Sequence, residues 1–169
     1  MSNTPEQIST IVARELVRDG DTEQLIGNRD AIEELNQSVI KEFRANQGKV
    51  GGAMEGWPVL LLTMTGAKTG RSLVRPLCYT RDGDRLVVIA SYGGAPMNPP
   101  WYHNLVANGD VAVEIGTETF RANATQVYGA EWERLFAEAA KVMPLFTEYQ
   151  SRTTRQLPLF VLSRMEEGN

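Results

Sequence analysis

Cysteine and histidine occur once each, as Cys78 and His103. A single cysteine excludes an intrachain disulfide and any cysteine-rich metal site, and it fits a reducing compartment. A single imidazole excludes a multi-histidine metal centre. No G-x-S-x-G elbow is present either, so a hydrolytic triad has little to work with. His103 stands beside Trp101 and Tyr102 and reads as a packed or hydrogen-bonded side chain, not a base. Cys78, in an apolar run, reads as a small core residue and not a nucleophile. No run approaches the ~20 apolar residues of a membrane span. The first ten residues, MSNTPEQIST, have neither the basic patch nor the apolar core of a signal peptide, so the expected location is the cytoplasm. A formal net charge of −4 argues against nucleic acid as a partner. The 169 residues, 42% hydrophobic and 22% charged, suit one globular core.

Acidic residues are missing where it matters most. From Gly56 to Arg81 there is no Asp or Glu, although the chain as a whole is acidic. Within that stretch Val59-Leu60-Leu61-Leu62 has the length and character of a buried strand. The chain then breaks into Thr65-Gly66-Ala67-Lys68-Thr69-Gly70-Arg71-Ser72. A glycine-bearing turn with free N–H groups and flanking cations suits an anionic ligand. The same composition also makes an ordinary solvated hairpin turn, and both readings stand at this point. The turn is not a P-loop, because G-A-K-T-G lacks the spacer of that motif.

Around this stretch the periodicity predicts α+β architecture. A helix is expected over 5–18 and another over 28–45, where Ile32, Leu35, Val39, Ile40 and Phe43 form one apolar stripe. Residues 1–27 are expected to be a helical extension to a domain spanning 28–169. The extension would pack on the domain's own body, meet a partner, or rest on a membrane face; acids on its polar side weigh against the membrane. Strands are expected over 57–65, 73–80, 85–91, 111–115, 118–127 and 157–165, about six in all. Pro76 marks its strand as an edge or a bulge, and Arg81-Asp82-Gly83-Asp84 as a hairpin turn. The loop from Ser91 to Pro100 combines glycines that let backbone approach a ligand with prolines that stiffen it. A short helix follows at 101–108. Trp132, Leu135, Phe136, Ala139 and Met143 predict a helix over 129–143, which Pro144 interrupts before a shorter one over 145–156. Consecutive hairpins without β-α-β alternation argue for an antiparallel barrel with helices packed around it.

So few catalytic side chains beside a stiff glycine loop and a cationic turn suggest a bound redox cofactor that carries the chemistry. Five segments in order sharpen this: T-x-T-G-A-K-T-G-R at 63–71, P-L-x-Y at 76–79, D-G-D-R-L-V-V-I-A-S-Y-G-G at 82–94, N-P-P-W-Y-H-N-L-x-A-N at 98–108 and V-x-V-E at 111–114. Together they resemble the deazaflavin-dependent nitroreductase family of actinobacteria, whose members use coenzyme F420. The resemblance runs from about Val39 to Leu162.

The resemblance implies a split β-barrel related to FMN-binding barrels. It implies a hydride passed from the reduced deazaflavin to a flat hydrophobic acceptor, either a quinone, a nitroaromatic or a conjugated lactone. That cofactor carries a phosphate and an oligoglutamate tail. Lys68, Arg71 and Arg75, with Pro76 beside them and the N–H groups of Ala67, Thr69 and Gly70, would hold it. Lys49 and Arg44 would meet the tail. Ser91, Tyr92 and Gly93 would line the ring, with Asn98, Pro99, Trp101 and Asn104 as the wall beyond. Met143, Phe146 and Tyr149 would form the substrate pocket. Tyr149, Ser91 or solvent would supply the proton that follows the hydride. Phe146 and Met143 stand where nitroimidazole-reducing relatives carry tyrosines, which disfavours nitroimidazoles. An FMN-binding oxidoreductase on the same barrel and a non-catalytic cofactor carrier are the alternatives.

Overall fold

A computed structural model describes residues 29–51 and 56–166. The helix expected over 5–18 and the extension 1–27 lie outside these residues. Helix α1 spans Arg29–Ala45 and buries Val39, Ile40 and Phe43 on one face, as its stripe predicts. Seven strands follow among the described residues: β1 Val59–Thr65, β2 Ser72–Cys78, β3 Thr80–Asp82, β4 Arg85–Ile89, β5 Asp110–Ile115, β6 Glu118–Val127 and β7 Leu159–Arg164. Helix α2 spans Pro100–Ala107, α3 Gly129–Val142 and α4 Leu145–Ser151.

All strand pairs are antiparallel, in the order β2-β1-β5-β6-β7-β4-β3. The two edge strands, β2 and β3, are consecutive in the chain, with only Tyr79 between them. Cα atoms two residues apart are at most about 7 Å from each other. The sheet must therefore curl until its edges meet, which gives the split barrel. This is also why one run expected over 73–80 becomes two strands: Tyr79 leaves the β2 ladder and carries the chain across the seam. Its N–H is kept by the carbonyl of Pro58 at 3.1 Å. Pro76 lies in the edge strand β2, where a missing N–H is tolerated.

Strand alternation divides the core in two. Leu60, Leu62, Met64, Leu86, Val88, Val113, Phe160 and Leu162 join Trp101 and Leu105 of α2 in one cluster drawn from most of the strands. Leu61, Val87, Ile89, Leu159 and Val161 face the other way, against Val39 and Phe43 of α1, Leu135 and Ala139 of α3, and Phe146 and Tyr149 of α4. The first is the barrel interior with α2 as its plug. The second is the layer between the barrel wall and the outer helices.

Pro144 separates α3 from α4, as expected. The helix expected over 145–156 ends at Ser151. Beyond it the Gln150 side chain takes over the backbone partners: its amide donates to the Arg155 carbonyl at 2.7 Å and accepts from the Leu157 N–H at 3.0 Å. The segment it shapes, 152–157, matters below.

The β3–β4 turn is fastened to α3 by charge. Asp82 pairs with Arg85 and accepts from Nη1 and Nη2 of Arg134, at 3.1 and 3.3 Å. Hydrogen bonds from Arg134 and Arg85 lower the Asp82 carboxyl to about 2. A carboxyl depressed in the folded chain contributes stability in full above its unfolded value, near 3.9, and loses it as pH falls towards 2. Asp82→Asn is therefore expected to flatten the acid limb of the stability profile between about pH 4 and pH 2, read by denaturant unfolding at stepped pH. An unchanged acid limb would mean the pair contributes nothing.

Candidate active site

The acid-free turn after β1 closes on itself. The Gly66 N–H donates to the Arg71 carbonyl at 2.8 Å and the Gly70 N–H to the Gly66 carbonyl at 2.9 Å. The Arg71 N–H is accepted by Thr69 Oγ1 at 3.1 Å. Gly70 sits at φ +71°, a left-handed position that glycine fills without strain. The Ala67 N–H is taken by Asn104 Oδ1 of α2 at 2.9 Å. So the amides of Ala67 and Gly70, expected to face a ligand, are committed within the chain. That leaves the N–H groups of Lys68 and Thr69 outside these bonds, with the side chains of Lys68 and Arg71. Ala67, Lys68, Thr69, Gly70 and Arg71 are all exposed. Among the described residues neither Lys68 nor Arg71 has a carboxylate partner, whereas Arg44 is paired with Glu114 at 2.8 Å and Arg75 faces Glu33 at 3.4 Å. Arg75 also donates to the Val74 carbonyl. Among the described residues the cations of this corner without an acidic partner are thus Lys68 and Arg71; Lys49 is exposed as well, and Arg44 and Arg75 stand beside Glu114 and Glu33.

Asn104 joins this turn to the rest. Pro99 caps α2 and Pro100 fills its first turn, where a missing N–H costs nothing. The helix then buries Trp101 against Phe160, ring centroids 6.1 Å apart. His103 is exposed, its ring edge-on to Tyr102 at 5.1 Å, so it is less packed than its neighbours suggested.

The loop before α2 is strained in a specific way. Tyr92, Gly93 and Gly94 have φ of +48°, +66° and +82° in succession. A left-handed tyrosine is uncommon and costs on the order of 1–2 kcal/mol, so something must hold it. Arg155, which sequence reasoning missed, binds oxygens on both sides of it. Its Nε donates to the Ala95 carbonyl at 2.9 Å, Nη2 to the Ser91 carbonyl at 2.8 Å, and Nη1 to the Ala90 carbonyl at 3.2 Å and Asn98 Oδ1 at 2.7 Å. The guanidinium is half-buried, and burial lowers its pKa from the ordinary arginine value without neutralising it. Nothing around Arg155 in the sequence marks it, since its acceptors lie about sixty residues upstream.

Ser91, Tyr92, Trp101 and Phe146, all expected at the site, line one cavity with Leu77, Cys78 and Ile89. It lies at the barrel seam, where β2 and β4 end. Its volume is about 20 Å³, room for roughly one water. It is no ready-made slot for a flat ring; it marks where loop and apolar wall meet. Cys78 is fully buried there, and burial pushes its thiol up to about 12, so it is inert. Gly93 and Pro99 are buried in the loop. Pro76 is buried in β2, paired with Leu61. Met143 and Tyr149 lie in the outer core, Tyr149 fully buried, instead of on an open pocket wall. A larger groove of about 620 Å³ is lined by Arg81, Arg85, Arg164 and neighbours and includes none of the expected site residues.

The model of the F420H(2)-dependent quinone reductase family matches residues 36–164, which takes in the cationic turn, the stapled loop, α2 and the seam. The chain belongs to that family. It is an F420-dependent reductase, and coenzyme F420 is its cofactor. The reductase is 40% identical over 129 residues to F420H(2)-dependent quinone reductase Rv1261c of Mycobacterium tuberculosis strain H37Rv, covering 72% of this chain and 85% of the relative. Among solved structures it is similar to an F420-H2 dependent reductase, FDR-A, with 34% identity and a TM-score of 0.59 over 63% of this chain and 94% of the other. It is also similar to a chain described as a domain-swapped dimer, with 32% identity and a TM-score of 0.61, covering 73% and 94%. Among the described residues no helix is long and apolar enough to cross a membrane.

The donor set of the reductase fits this cofactor. An exposed Lys–Arg corner without acids of its own suits a phosphate and a glutamate tail, while the cavity between the glycine loop and the apolar wall, at about 20 Å³, does not itself hold a flat ring.

Proposed function

We propose that the reductase passes a hydride to a flat hydrophobic quinone. The observation that supports this is the apolar character of the seam: Leu77, Ile89, Trp101 and Phe146 meet the Ser91–Tyr92 loop at one small cavity, which is itself too small for the acceptor, and no acidic or basic side chain lines it. An apolar wall favours an acceptor with little charge and excludes water from the reacting face. When bound, the reduced deazaflavin supplies the hydride. The chain's own part is to neutralise the anionic end with Lys68 and Arg71, to line the ring with Ser91, Tyr92 and Gly93, and to close the far side with Asn98, Pro99, Trp101 and Asn104. Of the two side chains expected to deliver the proton, Ser91 lines the cavity and Tyr149 is buried in the outer core, so this reading gives the role to Ser91 or to solvent.

The purified protein, mixed with reduced F420 and either menadione or a nitroimidazole, is expected to reoxidise the cofactor far faster with menadione, followed by the return of F420 fluorescence. Comparable rates on both acceptors would overturn the quinone assignment. Tight FMN binding without F420 affinity would overturn the reading altogether. Phe146→Tyr is expected to raise the nitroimidazole rate relative to menadione, because it places a hydroxyl on the seam wall. An unaltered ratio would make Phe146 a packing residue only.

A further inference from the structure

We propose that Arg155 is the positioning residue of the cofactor loop and the source of a fixed positive charge behind it. This rests on the reading that the 91–98 loop faces the deazaflavin. Three carbonyls, from Ala90, Ser91 and Ala95, and the Asn98 amide oxygen all turn towards one guanidinium, at 2.7 to 3.2 Å. In a trans peptide the N–H points opposite to the preceding carbonyl. Holding the Ser91 carbonyl therefore turns the Tyr92 N–H away from Arg155, towards the other side of the loop. Holding Asn98 Oδ1 orients that amide so that its NH2 faces away from the guanidinium. Two residues expected to touch cofactor are thus aimed by a third that does not.

The charge follows from the partner list. Every acceptor of Arg155 is neutral, and among the described residues no carboxylate pairs with it. The nearby Arg152, by contrast, is paired with Glu148 at 2.7 Å. An arginine stays protonated under these conditions. A half-buried cation is poorly screened by salt, so its field reaches an anionic cofactor at ionic strengths that would quench Lys68 and Arg71. The planar fork is needed for this geometry: a lysine ammonium offers the charge without fixed, divergent donors.

Three variants test it: Arg155→Met, Arg155→Lys, and Val39→Ala as a destabilised control on α1. Backbone hydrogen exchange is measured on the cofactor-free protein, and the affinity for oxidised F420 by fluorescence titration. Arg155→Met is expected to lose protection within 90–98 and to weaken F420 binding about tenfold or more. The loss should persist at high salt. Arg155→Lys is expected to recover part of the affinity but not the protection. Val39→Ala is expected to unfold at lower temperature with loop protection and affinity unchanged. Protection and affinity within twofold of wild type in Arg155→Met, or in Arg155→Lys if the methionine variant does not fold, would overturn the proposal. If the wild-type protein itself failed to bind F420, the functional reading would fall. The exchange data would still decide whether Arg155 holds the loop, and unchanged protection would overturn that too.

Discussion

Gly94→Ala is expected to lower the unfolding temperature by about 5–15 °C and to weaken F420 binding with it. Two penalties add at this position. Gly94 has φ +82°, which costs an alanine about 1 kcal/mol or more. A Cβ there would lie 2.6 Å from the Tyr149 carbonyl oxygen and 3.0 Å from Arg152 Cβ. The oxygen is backbone at the end of α4 and cannot swing aside, so overpacking adds about 1–3 kcal/mol. At about 2–4 °C per kcal/mol for a chain of this size, the sum gives the stated shift. Gly83→Ala separates the two penalties. Its φ is +62°, but nothing lies within 4 Å of the new Cβ, so only the backbone strain applies. Thermal unfolding of both variants checks the argument. Equal small shifts would mean that α4 does not press on the loop, and the case for a loop clamped between α4 and Arg155 would weaken.

That clamp shows what could and could not be read from the chain. Strands β5 and β6 were legible to within a residue because each obeys a strict period of two between clear turns. Helix α1 was legible because Val39, Ile40 and Phe43 repeat at helical spacing, and the β3–β4 hairpin because Asp-Gly names its own turn. The tilt of the chain at Tyr79 was not legible. Nothing in Leu-Cys-Tyr-Thr says that one residue spans the gap between opposite sheet edges, because that follows only from the whole strand order. The expected helix ran past the end of α4 because Thr153, Thr154 and Arg155 do not break a helix by propensity alone; beyond Ser151 the Gln150 side chain bonds the backbone of Arg155 and Leu157. Arg155 is the sharpest case. A cation in a sequence says nothing about whether its partners are acids, solvent or four oxygens of a distant loop. The expected site residues fared unevenly for the same reason. Ser91, Tyr92, Trp101 and Phe146 converge, whereas Arg75 stands beside Glu33, a neighbour that lies 42 positions upstream.

Lys68→Ala is expected to weaken F420 binding by about 1.5–3 kcal/mol, roughly tenfold to a hundredfold, if its ammonium makes a charge-assisted bond to the anionic end of the cofactor. The free protein should not notice the change. Lys68 is exposed and, among the described residues, carries no ion pair, so thermal stability should move by less than about 0.5 kcal/mol. The contrast with Arg75→Ala is the informative part. Arg75 is engaged by Glu33 and by the Val74 carbonyl, so removing it should disturb the contact between α1 and β2 more than the cofactor. Raising the salt from about 0.1 M to 1 M should shrink the Lys68 effect, since the Debye length falls from about 10 Å to 3 Å and the side chain is in solvent. The effect of Arg155, half-buried, should survive the same change. A dissociation constant for Lys68→Ala equal to that of the wild type at low salt would make the turn after β1 an ordinary solvated hairpin. The negative end of the cofactor would then have to be sought elsewhere on the surface.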